Sequence, residues 1–437
     1  MKLKKKKIAI IGGGFSGVAA AYTLAKAGHK VTIFEKDEIL GGLAGSFQTK
    51  KFALEKFYHM WYGTDKEIFN FIKSLNLSKN LKKIISRVAI YFKSSIYSFS
   101  KPFDILNFKP LSFFSRIRFI LFTLKCWYFT NPKKLEGINC EKWLKKSAGT
   151  EIYNVIWKPL LIGKFGKFHK SVSAIWLWNK IVIRGKSRDL KDAREHLYYY
   201  QGGFSNLIND IKNVLIKKKT KIKLKEKILK IKKIKNKINL RSNKAEYMFD
   251  KVLLTNHVPE IIELFKKDYP IYCKKLKRIK YLSNLCVVLE SKKSISNYYW
   301  ININDTNFPF VGIIEHTNLV DKKNYNDTNL IYLSKYLSKT DKIYKMKNHE
   351  VFKFTIKALK QKFPKFNTNN ISKYHIWRAD YAQPITTVNY KNKIPKFNTP
   401  IKNCYISTMA QIYPEDRGTN QAVKHGILNA KKILNSI

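Results

Sequence analysis

Residues 8–35 read IAIIGGGFSGVAAAYTLAKAGHKVTIFE, and this stretch decides the fold. The apolar run 8–11 suits a buried parallel strand. Gly12-Gly13-Gly14-Phe15-Ser16-Gly17 follows with the spacing G-x-G-x-x-G, and 18–27 predicts a helix stopped by Gly28. Residues 29–35 predict a second strand that ends on an acid, with Lys36 next. Gly12 makes the tight turn, Gly14 lets a pyrophosphate approach the backbone at Phe15 and Ser16, and Gly17 packs helix on strand. The helix start offers free N–H groups and a positive dipole end to the diphosphate. Glu35 is placed to accept hydrogen bonds from both ribose hydroxyls of an adenosine. An acid there disfavours a 2′-phosphate.

A second glycine cluster, Gly41-Gly42-Leu43-Ala44-Gly45-Ser46, comes soon after the second strand. It lets the chain lie against a cofactor that reaches beyond the first diphosphate contact. Here the sequence resembles the flavin-containing amine oxidase and protoporphyrinogen oxidase superfamily, notably its bacterial and archaeal oxidoreductases of unassigned substrate, together with UDP-galactopyranose mutase. The resemblance implies FAD, with Gly41 and Gly42 touching it. An Arg or Lys often follows that pair in the family, and Leu43 stands there instead, leaving the backbone contact of Leu43 and Ala44. The segment 52–59 resembles the one that runs beneath the flavin, which places His59 near the isoalloxazine ring, able to hold a charge or move a proton.

The resemblance covers the whole chain and implies an α/β fold: a Rossmann-like FAD-binding domain of the glutathione-reductase type with an inserted α+β substrate domain. Residues 1–80, 200–270 and 395–437 would form the first, and 81–199 with 271–394 the second. Within the insertions, 157–166 and 377–384 resemble motifs of the unassigned oxidoreductases. Arg378, Tyr381 and Gln383 are the expected substrate-side groups of the second motif, with a turn before a strand as the alternative. Arg184 draws attention because arginine is scarce: the chain has 75 lysines and 10 arginines, and a retained Arg suits bidentate binding of a carboxylate or phosphate. Residues 219–240 alternate Lys with Ile and Leu, predicting hairpin strands with one lysine face. The family's backbone contact to adenine would fall at Ile228. At the C-terminal end, 404–407 predicts a strand and 418–431 a helix whose start, at Thr419 and Asn420, would face the flavin pyrimidine and stabilise its negative charge. The family's usual Gly and ribityl-binding acid are replaced here by Thr408-Met409-Ala410-Gln411, which implies altered ribityl contacts.

Composition sets outer bounds. The chain has 437 residues, 45% hydrophobic, with 19 Gly, 12 Pro and 5 Cys, which excludes collagen-like, disulfide-scaffold and disordered classes. The formal net charge is +55. Its lysine-rich make-up reads as a codon-biased solvated surface, so no nucleic-acid partner is expected. Five odd, widely spaced cysteines suggest neither a disulfide framework nor a metal site, and fit a reducing cytoplasm. The apolar segment 113–129 predicts a core helix. The sharper alternative is a helix lying in an anionic membrane face.

The reading is an FAD-dependent oxidoreductase moving a hydride from the C–H bond of a small substrate, an anion being one option, to flavin N5, with His59, Arg184, Arg378 and Gln383 as candidate catalytic groups. The alternative is mutase-like chemistry on a nucleotide sugar or lipid-linked glycan without net redox change. The sequence assigns no oligomeric state.

Overall fold

The computed structural model describes residues 5–189 and 192–437. Five short strands form a parallel sheet in the spatial order Lys221–Lys223, Lys30–Phe34, Lys7–Ile11, Lys251–Leu254, Cys404–Ile406. The inner strands are buried on both faces, hence their continuous apolar runs rather than alternation. Helices Phe15–Lys26, Gly203–Lys217 and Thr419–Leu434 cover one face. The other carries a three-stranded antiparallel sheet (Ile228–Ile234, Lys237–Ser242, Glu246–Phe249) and the helices Val258–Phe265 and Pro270–Leu276.

The lysine-rich alternating segment therefore divides. Its middle and end form the expected hairpin, with Ile228, Ile231, Ile238 and Leu240 buried and the lysines outside. Its beginning, Lys221–Lys223, instead pairs in parallel with Lys30–Phe34 as the edge of the main sheet. Polar edge strands tolerate lysines on their open side.

Glycine is required where helices meet this sheet. Gly12 has φ +109°, and a Cβ there would stand 2.5 Å from Thr255 Oγ1. A Cβ on Gly17 would fall 2.0 Å from the Gly12 carbonyl oxygen. Gly17 thus serves the approach of its helix to the turn itself.

The second half of the molecule is built on a seven-stranded sheet in the order Ile371–Pro384, Tyr281–Ser291, Asn329–Leu337, Gly312–Glu315, Trp300–Ile303, Val88–Phe92, Ser95–Ser98. One face packs on helices drawn from residues 105–181, the other partly on helix Asn348–Lys362. Residues 377–384 lie inside the strand Ile371–Pro384, not in a turn before one. Pro384 ends the strand at an edge of the sheet, where the missing N–H costs no ladder bond. A small sheet of Trp61–Tyr62, His196–Tyr200 and Leu81–Ile85 stitches the two halves together. No helix among the described residues is long and apolar enough to cross a membrane.

Candidate functional site

The parallel strands end on one side in Ile11, Phe34, Leu254 and Ile406, and a cleft of about 750 Å³ opens there. This is where open α/β sheets bind ligands, beyond the carboxyl ends of their strands. Gly12, Gly14, Phe15, Ser16, Glu35 and Lys36 line it from the first unit. Gly41, Gly42, Leu43 and Ala44 line it from the second glycine cluster, Ile228 from the antiparallel sheet, and Thr419 from the last helix.

The glycine clusters touch each other. Gly41 donates its N–H to the Gly13 carbonyl at 2.9 Å. A Cβ on Gly42 (φ +58°) would come 3.2 Å from Gly14 Cα. On Gly14 itself a Cβ would meet only Gly42 Cα, at 3.9 Å, so its free side faces open space. Helix Phe15–Lys26 begins there without any side-chain cap, leaving its first N–H groups to a ligand.

The Glu35 carboxylate is buried and accepts the N–H of Gly13 at 2.6 Å and of Asp37 at 3.0 Å. Burial raises its pKa, and the two amides oppose the rise. Lys36 lines the cleft but pairs with Glu260, so its charge is already matched.

Gly17 and Asn420 do not line the cleft. Asn420 is buried, and its Oδ1 accepts the Ile68 N–H at 2.9 Å, capping helix Lys66–Ser74 from a distance of 352 residues. Only its place in the first turn of helix Thr419–Leu434 remains for a cofactor. Thr419 Oγ1 accepts the Trp61 indole N–H at 2.8 Å. At the place of the expected ribityl-binding acid, Gln411 turns back onto the Thr408 N–H at 2.9 Å, and buried Thr408 stands on the cleft wall.

His59 lines the cleft. Its Nδ1 lies 2.6 Å from the Phe57 carbonyl, which can only accept, so Nδ1 carries the proton and Nε2 is the free acceptor. Burial, with help from Arg417, pushes its pKa down to about 4, so the ring is neutral near pH 7. The segment is anchored by Glu55, a residue the sequence reading passed over. Its carboxylate accepts from the Tyr199 hydroxyl at 2.8 Å and the Phe204 N–H at 2.7 Å. Gly203 is what lets that carboxylate approach, since a Cβ there would stand 2.8 Å from Glu55 Oε1.

The other expected catalytic groups separate. Arg378 reaches the cleft wall, but its guanidinium donates to the Tyr344 carbonyl, the Met346 carbonyl and Asn348 Oδ1 at 2.6–2.9 Å. It ties the strand to a turn with three of its N–H groups. Gln383 is buried away from the cleft wall and donates to Asp416 Oδ1 at 3.2 Å. Arg184 is also off that wall, with Nε 2.9 Å from the buried Glu195.

Gln383 leads to a cluster absent from the expectations. Asp416 is held by Lys164 at 2.7 Å, Lys180 at 2.8 Å and the Trp176 indole N–H at 3.2 Å. Burial alone would raise its carboxyl, but Lys164, Lys180 and Arg417 outweigh that and hold it well below the usual carboxylate range. Burial also brings Lys164 down to about 8. Arg417 lines the cleft, donates to the Tyr336 hydroxyl at 2.7 Å, and keeps a buried Nε with no partner. Three cations thus face one carboxylate. The Lys180 and Arg184 side chains keep 38% and 40% exposure, whereas Lys164 and Asp416 are largely covered. Arginine scarcity, which singled out Arg184, applies equally to Arg417 and could have found it.

A family profile for flavin-containing amine oxidoreductases matches residues 15–434. Among curated relatives, zeta-carotene desaturase of Capsicum annuum is 37% identical over 78 residues, 18% of this chain and 13% of that protein. The aligned stretch is thus a small part of the relative's length. Among solved structures, an Exiguobacterium protein provisionally assigned as a protoporphyrinogen oxidase superposes with a TM-score of 0.80 at 16% identity, covering 99% of this chain and all of that one. Reduced UDP-galactopyranose mutase gives 0.76 at 16% identity over 100% and 95%. At such identities these likenesses establish the fold: an α/β flavoprotein architecture with a Rossmann-like cofactor domain.

Proposed function

The chain belongs to the flavin-containing amine oxidoreductase family, and on that premise we propose an FAD-dependent oxidoreductase that takes a hydride from a C–H bond of a small anionic substrate. FAD, rather than a shorter flavin, suits a cleft that continues from the Gly14–Gly42 contact to the buried carboxylate of Glu35, an acceptor for ribose hydroxyls. When bound, the flavin supplies the hydride acceptor, N5.

The protein's own groups supply the rest. The uncapped start of helix Phe15–Lys26 receives the diphosphate, and Gly14 and Gly42 leave room for it. Thr408, on the cleft wall, can offer its hydroxyl to the ribityl chain in place of the family's acid. Neutral His59, held by Phe57, presents Nε2 as a hydrogen-bond acceptor to a group bound beside the flavin. The observation that carries the substrate class is the excess positive charge of Arg417, Lys164 and Lys180 around the single carboxylate of Asp416, with Arg417 lining the cleft. Buried charge of one sign needs a counter-charge, and a substrate carboxylate or phosphate provides it.

Mixing the oxidised protein anaerobically with a panel of carboxylates and phosphate esters tests this. The reading expects bleaching of the flavin band by an anionic member, lost in Arg417→Met while the flavin stays bound. Bleaching only by uncharged or cationic compounds would refute the anionic substrate. The same cations also suit a nucleotide-sugar diphosphate, which favours the mutase as second reading. Turnover that requires prior reduction and consumes no acceptor would establish it.

A further inference from the structure

The helix Phe113–Tyr128 is apolar on two sides, and only one of them is covered. Its inner side packs as a core helix should: Phe122 and Cys126 are buried, and the Cys126 carbonyl accepts the Trp178 indole N–H at 2.9 Å. Its outer side carries Phe114, Ile117, Leu121, Leu124 and Tyr128, at successive spacings of three and four residues, which is one continuous stripe of an α-helix. All five are exposed, Phe114 by 84%, Leu121 by 60% and Tyr128 by 72%. Eight of the eighteen exposed large hydrophobic side chains among the described residues fall within 103–129. Isolated exposed apolar residues need no explanation, but a contiguous stripe does.

The charges around the stripe say what covers it. Residues 105–135 contain no Asp or Glu, whereas Lys109, Arg118, Lys125, Lys133 and Lys134 are all exposed. Glu151, at the helix start, is engaged by the Ser112 and Ser115 hydroxyls. An apolar stripe with a cationic border complements an anionic bilayer, where the stripe enters the acyl boundary and the cations meet the headgroups. A second copy of this chain would bring two cationic borders together. At 16 residues the helix is about 24 Å long, too short to span and suited to lying in the plane.

We propose that the outer face of helix Phe113–Tyr128 docks the protein on one leaflet of an anionic membrane. The helix rests on helix Ala174–Lys186, which carries Lys180, so the docked face stands one helix away from the cation cluster.

The test uses the full-length flavoprotein and vesicles of phosphatidylcholine, with and without phosphatidylglycerol, in dilute and in molar salt. A charge of +55 will itself attract anionic vesicles, so the informative part is binding that survives salt. The triple variant F114S/L121S/L124S keeps every charge. Wild type is expected to retain binding to the phosphatidylglycerol vesicles in molar salt, and the variant to lose it by about tenfold or more. Complete release of the wild type by salt, or a variant that binds like it, would overturn the proposal. So would a wild-type dimer that the variant dissolves, which would make the stripe a contact between copies. Should the triple variant misfold, Leu121→Cys labelled with a polarity-sensitive dye replaces it, the five native cysteines being buried. Its emission should shift to the blue on adding vesicles, and no shift would count against docking.

Discussion

The Glu35 carboxylate accepts the Gly13 N–H at 2.6 Å, which ties the acid ending the second strand to the turn following the first. One carboxylate therefore both braces the glycine turn and faces the cleft. Glu35→Gln keeps an oxygen for Gly13 but loses charge and one acceptor. Titration of the apoprotein with FAD, followed by flavin fluorescence, should show affinity weakened roughly tenfold, the worth of about one charge-assisted hydrogen bond. Unchanged affinity would remove Glu35 from the site.

The Gly17 contact makes a sharper structural prediction. A methyl group there would overlap the Gly12 carbonyl oxygen at 2.0 Å, and neither backbone can move without opening the turn. Gly17→Ala should unfold well below the wild type in a thermal melt, by about 1–3 kcal/mol of stability, and purify with little flavin. Gly14→Ala, with open space beside it, should keep its melting temperature and lose only cofactor affinity.

Asn420 offers a stability prediction with no bearing on cofactor contact. It caps helix Lys66–Ser74 through the Ile68 N–H. Asn420→Ala should cost about 1 kcal/mol or somewhat more in chemical denaturation, because a buried N–H is left unpaired. Asn420→Asp should keep most of that stability, an outcome that separates capping from mere packing.

Two histidines predict acid sensitivity. Burial lowers His59 to about 4 and His316 to about 3. Between the ordinary value of 6.5 and these values the unfolded chain binds protons that the native protein does not. Stability is therefore unaffected by them above pH 6.5 and falls as pH drops below it. His316 is buried and bonded to the Tyr325 hydroxyl at 2.7 Å. His316→Gln keeps a polar partner for Tyr325 without a titrating ring. Denaturant midpoints at pH 7 and 4.5 should show it losing about 2–3 kcal/mol less than wild type on acidification.

Lys164 predicts behaviour on the alkaline side. At about 8 it loses its charge a little above neutrality, removing one of the three cations around Asp416. Affinity for inorganic phosphate, read from perturbation of the flavin spectrum, should weaken above pH 8. In Lys164→Met that limb should be flat, with weaker binding throughout.

Legibility in the sequence followed the range of the interactions concerned. The strand–turn–helix at 8–35, the second glycine cluster and the final helix are local patterns, and nearly all of their residues meet in one cleft. Arg378 and Gln383 misled because motif and composition say nothing about which partners a long side chain finds. Arg378 is taken up by backbone carbonyls 32–34 residues upstream and Gln383 by Asp416. The cation cluster gathers residues 164, 180 and 416–417 from distant segments, so no spacing reveals it. Residues 113–129 do form a helix, but periodicity shows only that an apolar stripe exists, not that its outer stripe is left uncovered.

The central claim is that the cleft between Glu35 and Arg417 holds a flavin. The visible absorption spectrum of the purified protein, before and after anaerobic dithionite, tests it most directly. The account predicts an oxidised-flavin spectrum that bleaches on reduction and is lost in a Gly14→Ala, Glu35→Gln double variant. A colourless protein that also fails to take up added FAD would contradict it.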